Sequence, residues 1–235
     1  MVADDIPVEK SYRYKPLDRL GRFTAVFLMI AGFSGLLVGG AMIYQFAFLQ
    51  KVEIGGFGAD EDIGLAADFN DRLVLVASVA HVLSLFISGI MFLVWIYRAA
   101  ANIHAFRSAA MEITPGWAVG WNFIPIASLW KPYQAVKQVW QASHDLSYPE
   151  TVRIPGYFGW WWGFWIATNI LGGIAERISE SGIEDGDFGM MKLGTSLTLL
   201  DAILFAAACF LLYRIVREIT QFQRMLGSGT AAVFE

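Results

Sequence analysis

The sequence predicts an all-α membrane protein with four transmembrane helices arranged as two hairpins, and three observations predict it. Four apolar runs, at residues 23–50, 73–97, 154–175 and 193–213, are each bounded by charge and contain one formal charge between them, Asp201. A hydrocarbon core of roughly 30 Å needs about 20 helical residues, and every run meets that length. Mean hydropathy is +0.50, with 56% hydrophobic and 16% charged residues, where an ordinary soluble domain carries about 25% charged residues. Finally, basic and acidic segments alternate between the runs, as they do when Lys and Arg are retained on the cytoplasmic side.

The alternation sets the orientation. Lys10, Arg13, Lys15, Arg19 and Arg22 precede the first run. Between runs one and two the acidic residues Glu53, Asp60, Glu61, Asp62, Asp68 and Asp71 outnumber Lys51 and Arg72. Arg98, Arg107, Lys131, Lys137 and Arg153 follow run two; Glu176, Glu180, Glu184, Asp185 and Asp187 dominate after run three; Arg214, Arg217 and Arg224 follow run four. Both termini are therefore expected in the cytoplasm (N-in/C-in), with two acidic outer loops. The net charge of −4 says less than this pattern. The first run is too long for a signal-peptide core and reads as a retained anchor.

The expected divisions follow. Residues 1–22 form a cytoplasmic segment, and 23–111 a first hairpin with an acidic outer loop and a cytoplasmic helix extension. Residues 112–154 form a cytoplasmic-side linking segment, 155–226 a second hairpin, and 227–235 a tail. In run one Ala31, Gly35 and Gly39 recur once per helical turn, as do Gly159, Gly163 and Ala167 in run three. Small residues on one face let helix backbones approach closely in lipid. Such a stripe serves a homodimer or packing within one chain, and the second is preferred here. Runs two and four end alike, Tyr97-Arg98 with Ile103 and Phe106 against Tyr213-Arg214 with Ile219 and Phe222. An ancient duplication and chance both account for that match.

The linking segment carries the most distinctive residues, TPGWAVGWNFIPIASLWKPYQAVKQVW at 114–140. Its apolar part, 117–130, is too short to cross a bilayer, and Pro125 interrupts any helix through it. It is expected to be a re-entrant or interfacial Trp/Pro element. Lys131-Pro132 then reads as the start of an amphipathic helix, with Tyr133, Val136 and Trp140 on one face and Gln134, Lys137, Gln138 and Gln141 on the other. That helix is expected along the inner leaflet.

Over roughly 95–143 the chain resembles the bacterial membrane family called domain of unknown function 4328. Trp95, Tyr97, Arg98 and Asn102 match one block; Thr114-Pro115-Gly116-Trp117, Trp121, Phe123-Ile124-Pro125 and Leu129-Trp130-Lys131-Pro132-Tyr133 match a second. The resemblance implies a multi-pass protein of the bacterial cytoplasmic (inner) membrane. It implies no activity.

Candidate chemistry is sparse. Asp201 and His81 lie at similar expected depths, each eight residues into its run, and could pair as an intramembrane proton or cation relay. The structural alternative, a buried polar group that fixes helix register, is preferred. Arg98, Asn102, Lys131 and Trp121 are candidates for a lipid headgroup or for anchoring the broken segment around Pro125, with Asn102 satisfying backbone groups freed there. Trp160, Trp161, Trp162 and Trp165 form either an interfacial belt or a surface for a partner or a planar ring such as a quinone.

No catalytic residue, metal site or cofactor is expected. The sequence lacks HExxH, GxSxG and Walker patterns. Its histidines are not placed to hold a haem between helices, and its single cysteine, Cys209, excludes a disulfide framework. The functional expectation is a non-catalytic accessory or scaffold subunit that packs against membrane lipids and other integral membrane proteins, or a homo-oligomer, with no nucleic acid. The alternatives are a small transporter or channel using Asp201 and His81, and a lipid- or quinone-binding intramembrane protein.

Overall fold

The computed structural model describes residues 12–58, 61–106 and 111–231, and among them all regular structure is helical. The elements are α1 (Asp18–Glu53), α2 (Ile63–Ala105), α3 (Pro115–Gly120), α4 (Lys131–His144), α5 (Tyr157–Asp185) and α6 (Phe188–Ala231). Short 3-10 turns lie at Trp121–Phe123, Ala127–Leu129 and Pro149–Thr151. Residues 1–11 of the expected N-terminal segment, 107–110 of the helix extension and 232–235 of the tail lie outside the described residues. The helix of α6 continues to Ala231, through the described part of that tail.

Three helices, α1, α2 and α6, are long and apolar enough to cross a membrane. At 1.5 Å per residue, the 43 residues of α2 span about 65 Å, roughly twice a hydrocarbon core. The fourth expected span, α5, is a continuous 29-residue helix. Its apolar half is built from Trp, Gly, Thr and Asn beside aliphatics, a composition of lower hydropathy than that of the other three.

The two acidic loops, after α1 and after α5, are shorter than the charge pattern suggests. Helix-compatible Glu, Ile and Ser carry α5 on to Asp185, where Gly186 stops it in the left-handed conformation at φ 68°. The Asp187 N–H then bonds the Gly182 carbonyl at 2.9 Å. The Asp187 carboxylate opens α6 by accepting from the N–H groups of Gly189 (2.7 Å) and Met190 (3.2 Å). Between α1 and α2, Gly55 takes φ 63°. The Glu61 carboxylate there accepts from Lys51 Nζ at 2.5 Å and from the Gly58 N–H at 3.2 Å. The Lys51 bond, ahead of the Gly58 bond, holds the Glu61 carboxyl below its ordinary range.

By contacts the chain divides into two units, and the division falls inside α1, α2 and α6. One unit comprises Arg22–Phe92 and Pro155–Arg217 and is here called the bundle. The other comprises the described residues of 1–21, 93–154 and 218–235 and is called the knot.

In the bundle, small residues bring helices together. Ala31 is fully buried in a cluster with Phe205 and Cys209, against which Leu85 and Trp165 pack. A Cβ added at Gly35 would stand 3.0 Å from Phe205 Cδ1, and one at Gly39 would stand 3.2 Å from Leu199 Cδ1. The Ala31–Gly35–Gly39 stripe of α1 therefore packs against α6 in the same chain. Gly159 and Gly163 of α5 meet nothing within 4 Å. The outer face of the bundle is strongly apolar. Phe33, Leu75, Val76, Val82 and Phe86 are exposed, the last at 67%, and only 17% of the most apolar window of α2 is buried.

In the knot, α4 begins at Lys131-Pro132 as the sequence predicts. Its buried face runs through Pro132, Ala135, Val136, Val139, Trp140 and Ser143, so protein rather than lipid covers it. Ile103 and Ile219, equivalent in the suggested duplication, are both fully buried in the knot.

Candidate functional site

The densest polar arrangement is buried in the knot, around Asn102 and Gln223, both at zero exposure. Asn102 lies on α2, on the turn after Tyr97-Arg98, and Gln223 lies on α6. Asn102 Nδ2 donates to Gln223 Oε1 at 3.0 Å and to the Lys15 carbonyl at 2.9 Å, while Asn102 Oδ1 accepts from the Lys15 N–H at 3.0 Å. Gln223 Nε2 donates to the Ala99 carbonyl at 3.0 Å and to Ser143 Oγ at 3.2 Å. Both amide groups thus use both donor protons and their acceptor oxygen. Four segments meet there: the extended chain ahead of α1, then α2, α4 and α6.

Neighbouring bonds reinforce the node. Trp95 Nε1 donates to Thr220 Oγ1 at 3.3 Å, Trp140 Nε1 to Glu218 Oε2 at 3.1 Å, and Tyr14 Oη to the Gln223 carbonyl at 3.4 Å. Burial, followed by the nearby Asp18 charge, raises the Tyr14 phenol above its ordinary value. A fully satisfied network of neutral amides offers no group to a substrate, so its chemistry is structural. Asn102 pairs with the backbone of Lys15, and among the described residues it makes no hydrogen bond to the segment around Pro125.

Arg98, expected beside Asn102 as a headgroup ligand, is half-buried one turn away. Lys131 Nζ stands 5.5 Å from the Trp121 ring centroid, and Trp121 stacks on Trp117 at 4.4 Å. Lys131 and Trp121 therefore meet, as a cation on an aromatic face, apart from the buried network.

In the bundle, His81 and Asp201 do not pair. His81 Nδ1 is 3.2 Å from Ser34 Oγ, which also contacts Ser84 Oγ at 2.6 Å. The His81 ring instead meets Phe205 edge-on, with centroids 4.9 Å apart. Phe205 lies one helical turn beyond Asp201, so equal counting from the two run ends misjudged the register of α6 against α2 by about a turn. Asp201 Oδ1 is buried with no hydrogen-bond partner among the described residues.

The four indoles of α5 do not share a face. Trp160 is 65% exposed, Trp161 is buried, Trp162 is intermediate, and Trp165 packs on the Ala31–Phe205–Cys209 cluster. Successive residues on a helix point about 100° apart, and three adjacent tryptophans cannot form one flat platform. Ala167 is partly buried on the same helix. Among the described residues no cluster of His, Cys, Asp and Glu could hold a metal ion.

The family model described as "Domain of unknown function (DUF4328)" matches residues 63–221. The chain belongs to that family. The DUF4328 match runs from the start of α2 to Gln221 in α6, and so includes Asn102, Ser143, His81 and Asp201. Gln223, Lys15 and the small-residue stripe of α1 lie outside it. No curated protein and no solved structure matches the chain.

Sequence reasoning singled out Asn102 and missed Gln223, Ser143, Ser34 and Ser84. Gln223 follows Thr220 and Gln221 and precedes Arg224, which reads as a solvated helix face. The signal that could have found it is the position of Gln223 on the Ile215–Ile219 face of α6, whose other members are fully buried.

Proposed function

We propose that this DUF4328 protein is a non-catalytic subunit of the bacterial inner membrane, an accessory or scaffold component that packs against other integral membrane proteins and lipids. The observation that carries the reading is the exposed apolar surface of α2, most of whose apolar window is uncovered by its own chain. Large exposed apolar patches mark membrane or protein contact. The internal polar groups of the knot are satisfied by one another, as befits a framework.

In this reading α1, α2, α5 and α6 all cross the bilayer, with both termini and residues 93–154 on the cytoplasmic side. Alternating charge supports that orientation. Photo-crosslinking amino acids placed at Val82 and Phe86 test the role. Adducts to one defined second protein support it; adducts to lipid alone contradict it.

A second reading rests on Asp201. A buried carboxylate oxygen without a partner is costly in lipid and marks ion pathways in other membrane proteins. Under this reading the protein is a small transporter or channel, with Asp201 as the site and His81 in a separate hydrogen-bonded cluster. Proton or cation flux in proteoliposomes that is lost in Asp201→Asn would favour it over the scaffold.

A further inference from the structure

The stretch 117–130 carries no charged side chain, yet it supplies most of the exposed apolar surface of the knot. Ile126 is 71% exposed and Phe123 70%, and Trp117, Ile124, Leu129 and Trp130 are exposed as well. In a protein facing only water such a cluster would be covered or polar. Here it is held by buried residues, Pro115 before it, Ala118 and Ala127 within it and Pro132 after it.

Several backbone carbonyls of the stretch are paired within it, while among the described residues the N–H groups of Ile124 and Ile126 make no such bond. Asn122 Nδ2 folds back onto the carbonyls of Ala118 and Val119, both at 3.1 Å. The Ser128 N–H bonds the Ile124 carbonyl at 2.7 Å, and Ser128 Oγ donates to the Pro125 carbonyl at 2.7 Å. The carbonyls of Ile126 and Ala127 accept from the N–H groups of Leu129 and Trp130, each at 3.2 Å. Pro125, at the tip, has no N–H to leave unpaired. Each carbonyl paired in this way lowers the cost of taking irregular backbone into hydrocarbon. The two polar side chains near the tip, Asn122 and Ser128, both serve that end. Behind the tip, Lys131 lies over the Trp121–Trp117 stack, the pairing of cation and indole suited to the headgroup layer.

We propose that residues 117–130 form a membrane-inserting wedge whose tip, from Phe123 to Ile126, lies among the acyl chains of the cytoplasmic phospholipid leaflet while Trp117, Trp121 and Lys131 sit at its headgroups. The wedge rests on the reading of the bundle as membrane-spanning. It goes further by committing this segment to lipid rather than to water or to a partner protein.

The test is spin-label accessibility in the full chain. With Cys209 replaced by Ala, single labels are placed at Ile126→Cys, Phe123→Cys, Val82→Cys on the exposed face of α2, and Gln134→Cys on the exposed face of α4. The labelled proteins are reconstituted in nanodiscs of phosphatidylethanolamine and phosphatidylglycerol, and relaxation by oxygen is compared with relaxation by a water-soluble nickel chelate. The expected result is an oxygen-to-nickel ratio at 123 and 126 that matches position 82 and exceeds position 134. A water-like ratio at 123 and 126 beside a lipid-like ratio at 82 overturns the wedge alone. Protection from both reagents at 123 and 126 also overturns it, by placing protein over the tip. A water-like ratio at 82 overturns the membrane reading itself.

Discussion

Asn102 and Gln223, on α2 and α6, join their side-chain amides at 3.0 Å with no solvent access to either. Each reaches the backbone of another segment, Lys15 for Asn102 and Ala99 for Gln223. Truncating either one strands buried donors and acceptors on its partners, which costs about 1–3 kcal/mol. Asn102→Ala and Gln223→Ala are each expected to lower stability by that amount in detergent. Because they share one bond, the double variant should lose less than the sum, with a coupling of about 0.5–3 kcal/mol. Denaturant unfolding of the four proteins in a double-mutant cycle checks this.

The two small-residue stripes should respond differently. Gly35→Leu drives a side chain into Phe205 and His81, and overpacking of this kind costs about 1–3 kcal/mol. Gly159→Leu and Gly163→Leu enter open space within the chain, so their stability should stay within about 0.5 kcal/mol of the parent. Thermal unfolding of the three variants in the same detergent makes the comparison. A large loss at Gly159 or Gly163 would place an associated chain against α5.

Asp201→Ala removes a carboxylate oxygen that lacks a hydrogen-bond partner among the described residues. Removing a buried polar group that makes no bond should leave the unfolding midpoint unchanged or raise it. A fall of more than about 1 kcal/mol, the usual net worth of a hydrogen bond, would show that Asp201 holds the bundle together. Lost flux with unchanged stability would support the transport reading.

Asp145 gives a pH dependence with a definite sign. Its carboxylate accepts from the N–H groups of Tyr148 at 3.0 Å and Ser147 at 2.8 Å, and these bonds, Tyr148 first, lower its pKa. A carboxyl whose folded pKa is depressed contributes stability above its unfolded pKa, and that contribution is lost as pH falls through the folded value. The difference in unfolding midpoint between the parent and Asp145→Ala should therefore be present at neutral pH and shrink under acid conditions. An unchanged difference at low pH would contradict it.

Much of the helical layout was legible because its signals are local. Apolar length marked α1, α2 and α6, and Lys131-Pro132 marked the start of α4. The run at 154–175 was expected to span on the same grounds, but the aromatic and small residues of α5 leave it outside the three helices apolar enough to cross. The ends of the acidic loops were missed because acidic residues read as loop, although Glu and Ser continue a helix until Gly186 stops it. At the site level, Asn102 was visible as an amide inside a helical motif. Its partners were not, since Gln223 and Lys15 are distant in sequence and only tertiary packing buries them. The Asp201–His81 pairing failed for a related reason: depth counted along separate helices does not fix how those helices slide past one another.

The most direct test of the accessory-subunit reading is the composition of the native particle. The full-length protein is extracted from its own membrane in mild detergent, the intact particle is sized, and every co-eluting chain and lipid is identified by mass spectrometry. Stoichiometric foreign membrane subunits are the predicted result. A lone monomer or homo-oligomer with lipid only would contradict that reading and turn attention to Asp201.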